Sequence, residues 1–213
     1  MWIIARFLLG AILGLTATAA LAASSGPAKP LSDADRADMA RIESYLNGVK
    51  TMKSRFLQVG NEGGYATGSI YLSRPGRMRV EYDPPTKMLI VATGIWLIYV
   101  DTELQQATYL PIDSTPATFL LRPAVQFDKE ISVLGLERGP GVIRVALTDK
   151  KDPRSGQIEL TFSDKPLALQ KWSVTDAQGK VTNVALVDPV FGLQLPQTLF
   201  QYVDPSPDRR QRQ

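Results

Sequence analysis

The chain has 213 residues, 44% of them hydrophobic and 21% charged, which excludes a disordered chain and a polytopic membrane protein and makes one globular domain the expectation. With 24 basic against 21 acidic side chains the formal charge is only +3, and no block of five like charges appears, so a dedicated nucleic-acid surface is not expected. Histidine and cysteine are both absent, and with them go a His-based triad, a thiol nucleophile, a Cys/His zinc site, any disulfide and a lipidated N-terminal cysteine.

The chain opens Met1-Trp2-Ile3-Ile4-Ala5-Arg6, then an uncharged apolar run over 7–15, then the small-residue site Ala20-Leu21-Ala22. That order reads as a Sec-type signal peptide over 1–22, cleaved near Ala22, which places the mature protein outside the cytoplasm. Residues 23–31 read as a flexible leader, 32–203 as a single domain, and 204–213, with two Pro, three Arg and no apolar period, as a disordered tail.

Ser32 is suited to an N-cap, with Asp35 three residues on, and Met39, Ile42, Leu46 and Val49 recur at steps of three, four and three. The spacing predicts a helix ending near Asn47-Gly48, its apolar stripe resting on another layer.

After Lys53 the period changes to two. Candidate strands are 54–60, 66–73, 77–83, 87–93, 95–101, 104–110, 131–137, 142–148, 157–163, 168–175, 180–187 and 198–203, joined by short turns, which implies an antiparallel meander. Most alternate apolar with polar, as Met78, Val80 and Tyr82 do with Arg77, Arg79 and Glu81. The run Ile95 to Val100 is apolar on both faces and should be covered on both sides.

Turns are expected at Gly60 to Gly64, Gly139-Pro140-Gly141, Asp152 to Gly156 and Asp176 to Gly179. Between Leu110 and Phe127 the pattern breaks: Asp113-Ser114 can cap a short helix with Pro116 in its first turn, and apolar 117–121 follow before Arg122-Pro123. A helical insert in a sheet protein is expected to be an apolar flap.

No nucleophile elbow, phosphate loop or dinucleotide fingerprint occurs, and the carboxylate pairs Asp101/Glu103 and Asp149/Asp152 fall in turns, where acidic residues are common anyway. Arg77 and Arg79 read as the solvated face of a strand. Arg74, before Pro75 at a strand end, can reach carbonyls of another element.

The series Phe56-Leu57-Gln58, then Gly68 to Pro85 with Arg74-Pro75-Gly76 inside it, then Leu89-Ile90-Val91 leading to Gly94, Trp96 and Tyr99, resembles the LolA family of periplasmic lipoprotein carriers. Leu195-Pro196 and Leu199 to Tyr202 are similar to that family's closing segment. The resemblance implies a mainly β fold: a curved, incompletely closed antiparallel half-barrel of about 11 strands with an N-terminal helix and a helical lid. It implies a carrier, not an enzyme, with no cofactor, that takes triacylated lipoproteins from an inner-membrane LolCDE-type ABC exporter to a LolB-like acceptor or the outer membrane itself. A monomer is expected. By the same resemblance Arg74 matches the arginine that latches the lid. Met78, Val80, Met88, Ile90, Trp96, Phe119, Leu120 and Leu121 are the expected lining of the lipid cavity. Alternative readings are an envelope sensor or acceptor of the same fold, and a secreted hydrolase using carboxylates.

Overall fold

The computed structural model describes residues 31–204 apart from 62, 115 and 128; the expected signal peptide and most of the expected leader and tail lie outside the described residues. The predicted helix is α1, Asp33–Gly48, and Ser32 caps it as expected. The Ser32 hydroxyl accepts from the Asp35 amide while the Asp35 carboxylate accepts from the Ser32 amide, so two of the orphan donors at the helix start are satisfied. Met39, Ile42 and Leu46 are its buried stripe.

Eleven strands follow: β1 Thr51–Gly60, β2 Tyr65–Ser73, β3 Arg77–Tyr82, β4 Met88–Thr93, β5 Trp96–Asp101, β6 Gln106–Pro111, β7 Ile131–Gly139, β8 Val142–Asp149, β9 Gly156–Ser163, β10 Ala168–Asp176 and β11 Val181–Phe191. They form one antiparallel sheet in the order β6-β5-β4-β3-β2-β1-β11-β10-β9-β8-β7. Every neighbour pair but one is sequential, and the exception, β1 with β11, joins the two meanders at the centre. Among the described residues no further strand pairs with the two end strands, β6 and β7.

The sheet is curled. The amide of Gly76, in the turn after β2, donates 2.8 Å to the carbonyl of Leu121, while the segment carrying Leu121 packs on β9 and β10. Along a flat sheet β2 and β9 would lie roughly 19 Å apart, too far for one short segment to touch both. Register shifts between Lys53 and Arg55, Val133 and Gly135, and Leu169 and Lys171 add local bends.

Alternation then decides which side chains fill the inner face. Met52, Leu72, Met78, Ala92 and Leu97 follow one another in register, as do Ile70, Val80, Ile90 and Tyr99. Leu147, Leu160, Phe162 and Trp172 supply the other half, and α1 with Phe119, Leu121, Val125 and Phe127 closes over them.

Three expectations need correcting. The segment 198–203 is no strand: a short 3-10 turn, Gln197–Phe200, lies across β3 and β4 on the outer face. Phe200 is buried there with Val91, Ile98 and Val100, which is why 95–100 is apolar on both sides. Arg79, expected in solvent, is largely covered; it pairs with Glu81 at 2.6 Å and its Nη1 approaches the Leu199 carbonyl at 3.4 Å. The insert after β6 forms two 3-10 turns, Ile112–Ser114 and Pro116–Leu121, in place of the expected lid helix. Six residues bracketed by Pro116 and Pro123 are too few for a stable α-helix.

Candidate functional site

The inner face of β1 to β5 is apolar, and its side chains are set by the pleat. Met78, Val80 and Ile90 all point to it in register; Val80 is buried, Met78 and Ile90 partly so. Met88, two residues before Ile90, shares that face and is half-exposed near the end of the sheet. Gly68 is required beneath Phe56: a Cβ there would meet the Glu81 carbonyl at 2.1 Å and the Phe56 ring at 2.7 Å. That allows Phe56 to lie flat against the sheet and meet Tyr82 edge to face, with ring centroids 5.2 Å apart. Burial pushes the Tyr82 phenol up to about 12 and raises Tyr99 as well, so both are neutral.

Facing these strands are α1, the segment 119–127 and β10. Between the two walls lies an apolar cavity of about 30 Å³, lined on one side by Met52, Leu72 and Met78 and on the other by Tyr45, Leu120 and Trp172, with Arg74 at its end. That volume holds a water or two.

A larger cleft of about 620 Å³ opens at the ends of β8 and β9. Phe119, Leu147 and Ile158 form its floor, but Glu130, Asp149, Lys151 and Asp152 ring it with charge, and an alkyl chain gains nothing from such a rim. The smaller cavity is the apolar one and carries the candidate site.

Arg74 leaves the end of β2 and turns inward. Its Nε and Nη2 donate to the Arg122 carbonyl at 2.8 and 2.6 Å, and its Nη1 donates to the carbonyl of Leu46 and, at 3.4 Å, to that of Val49. It thereby ties β2 to the C-terminal end of α1 and to segment 119–127. These partners are carbonyls, and burial pushes the guanidinium below its ordinary pKa. A cation held this way is favoured by its bonds and penalised by desolvation, so its hold is finite.

The segment 119–127 has further ties. The Asn47 side chain accepts from the Val125 amide at 2.8 Å and donates to the Val125 carbonyl at 3.0 Å, and the Glu43 carboxylate accepts from the Phe127 amide at 3.1 Å. The Arg122 guanidinium reaches Glu130 and Asp149, each at 2.7 Å.

Of the expected lining residues, Met78 and Leu120 meet at the apolar cavity, Phe119 and Leu121 are buried under the segment that carries them, and Val80 and Ile90 extend the inner wall. Trp96 does not belong with them. It shares the outer face with Ile98 and stands edge to face with Tyr109, which contacts Tyr202, so pleat parity puts it on the far side of the sheet. Tyr45, Leu169 and Trp172 join the cavity wall without having been expected there. Tyr45 widens the helix stripe beside Leu46, and Trp172 alternates with Lys171 on β10, so only the curl of the sheet brings them opposite Met78. The paired carboxylates serve turns: Asp101 accepts from the amides of Glu103 and Leu104, and Asp152 from that of Arg154. Among the described residues no cluster of acidic side chains is placed to hold a metal.

A family model described as "Outer membrane lipoprotein carrier protein LolA" matches residues 47–203. The chain is 29% identical over 173 residues to an outer-membrane lipoprotein carrier protein of Legionella pneumophila, a match covering 78% of this chain and 85% of the relative. It is 30% identical over 179 residues to one from Cupriavidus pinatubonensis, covering 78% and 83%. Among solved structures it is similar to a LolA superfamily protein from Nitrosomonas europaea, with 10% identity, a TM-score of 0.44 and coverage of 76% of this chain and 97% of that one.

Proposed function

The chain belongs to the LolA family of outer membrane lipoprotein carrier proteins, and from that premise we propose that it shields the acyl chains of triacylated lipoproteins in the periplasm and carries them to the outer membrane. An inner-membrane ABC exporter of the LolCDE type loads it, and a LolB-like acceptor or the membrane itself receives the cargo. A signal peptide over 1–22 would export it, and 32–203 would form its one domain.

Each buried methylene gains about 0.8 kcal/mol, so one sixteen-carbon chain favours a dry site over water by on the order of 12 kcal/mol. Such a cargo needs an escort. The escort must also release it, so its empty state has to compete with the loaded one.

The observation that carries the reading is the apolar seam itself: an inner face of Met, Leu and Ile side chains, nearly closed by α1 and 119–127, with the half-buried Arg74 tying the closure. In this reading the cover substitutes for lipid when the carrier is empty, and lipid substitutes for the cover when it is loaded. Flexible methionines such as Met52 and Met78 fit chains of varying shape. Closure bonds from Arg74 favour the empty state and so push the cargo out at delivery.

The test is binding of a synthetic triacylated peptide. The wild-type chain should bind it and Leu120→Glu should not, with the fold of the variant intact by circular dichroism; equal binding by both would place the lipid elsewhere.

A further inference from the structure

On the outer face, where β5 and β6 meet the end of the closing segment, exposed apolar and aromatic side chains gather. Ile95, in the turn between β4 and β5, is 71% exposed and Val203 is 82% exposed. A run of ring contacts joins them: Trp96 stands 6.4 Å from Tyr109 and Tyr109 stands 6.5 Å from Tyr202, centroid to centroid. Trp96 and Tyr109 are themselves exposed. Arg77 lies opposite Thr93 in register, and pleat parity puts it on this same face. Its turn abuts the turn of Ile95, since a Cβ on Gly76 would stand 2.9 Å from the Gly94 Cα. A guanidinium therefore flanks the aromatic group.

Such a group in water is unfavourable unless a surface covers it. Two observations point to lipid and away from protein. The group is five side chains, Ile95, Trp96, Tyr109, Tyr202 and Val203, whereas a stable protein interface engages about 20 to 30 residues a side. The charge that accompanies it is positive: beside Arg77, the sequence runs on from Val203 into Arg209, Arg210 and Arg212, against Asp204 and Asp208. Tryptophan and tyrosine, apolar in body and polar at one edge, suit the headgroup zone of a bilayer, and arginines complement anionic headgroups.

We propose that this outer face docks the protein on an anionic lipid bilayer, with Ile95, Trp96 and Tyr109 seated at headgroup level and the arginines drawing it there. The proposal goes beyond the carrier reading and stands without it, because the acyl seam lies on the inner face. The Ile95 carbonyl accepts from the Ile112 amide at 3.0 Å, so the docked face adjoins the start of the segment that carries Leu120.

The experiment is flotation of the protein with vesicles of phosphatidylethanolamine and phosphatidylglycerol, and with vesicles of phosphatidylcholine alone. Wild-type protein should bind the anionic vesicles about tenfold more tightly or better, and added salt should erase the difference. Ile95→Glu, at an exposed turn and with its fold checked by circular dichroism, should weaken binding about tenfold, as should Arg209→Gln, Arg210→Gln and Arg212→Gln combined. Brominated acyl chains should quench wild-type fluorescence and lose that effect in Trp96→Phe, since Trp172 is buried. Equal binding by wild type and Ile95→Glu, or quenching that persists in Trp96→Phe, would overturn the proposal. Self-association abolished by Ile95→Glu, without flotation, would assign the face to a second copy and overturn it too. Protein that takes up triacylated peptide but does not float would remove the docking face and leave the carrier reading; protein that floats but takes up no peptide would do the reverse.

Discussion

Replacing Arg74 by leucine removes the guanidinium that joins three elements while keeping an aliphatic stem. The lost bonds are two to the Arg122 carbonyl at 2.6 and 2.8 Å and one to Leu46, with a weak fourth to Val49. Each bond contributes about 1 kcal/mol net, and the carbonyls left half-buried add a penalty, while relief of the cation's desolvation returns part of it. The balance is about 2 kcal/mol against closure, which shifts the closing equilibrium about thirtyfold. Loading needs an open seam and should survive. Release needs the cover to return and should slow by a comparable factor. The assay follows labelled triacylated lipoprotein from loaded carrier to acceptor vesicles, with binding measured separately. Arg74→Lys, which keeps the charge but loses the fork, should fall between the two. Delivery by Arg74→Leu at the wild-type rate would refute the latch.

Gly68→Ala should destabilise the sheet by about 3 kcal/mol or more, read as a lower Tm, because its Cβ has the Glu81 carbonyl and the Phe56 ring in its place and a carbonyl in a ladder cannot yield. Trp96→Ala should leave binding of triacylated peptide unchanged, since the ring lies on the outer face, whereas Met78→Glu should abolish it with the fold retained. Asp35 titrates at about 2 against its ordinary 3.8, first through the Ser32 hydroxyl bond, then the Ser32 amide and Arg138. A carboxyl depressed in the folded state stabilises it above the unfolded value and loses that effect as pH falls through the folded one. The start of α1 should therefore loosen between about pH 4 and 2, followed by exchange of the Asp35 amide, and Asp35→Asn should flatten that dependence.

The strands were legible in the sequence because a one-sided sheet writes its burial as period two: Met78-Arg79-Val80-Glu81 needs no partner to be read. The helix was legible from its cap and stripe. What could not be read is what depends on the curl. Trp96 sits in an apolar run whose two faces look alike in sequence, and only the closing turn over Val91 and Ile98 shows which side is outer. Leu199 and Phe200 carry strand-like residues, yet Pro196 and a place against the outer face make them a cap. Asn47 and Glu43 are unremarkable helix polars until Val125 and Phe127, about 80 residues away, present backbone to them. Long-range polar bonds to backbone leave no pattern in one-dimensional spacing.

The most direct test of the central claim is native mass spectrometry, with lipid extraction, on the protein purified from the periplasmic fraction of its own cells. The account predicts copurifying acylated lipoprotein or acyl chains, absent from Leu120→Glu purified in parallel. A protein that emerges empty, and takes up no lipid when offered triacylated peptide, would contradict it.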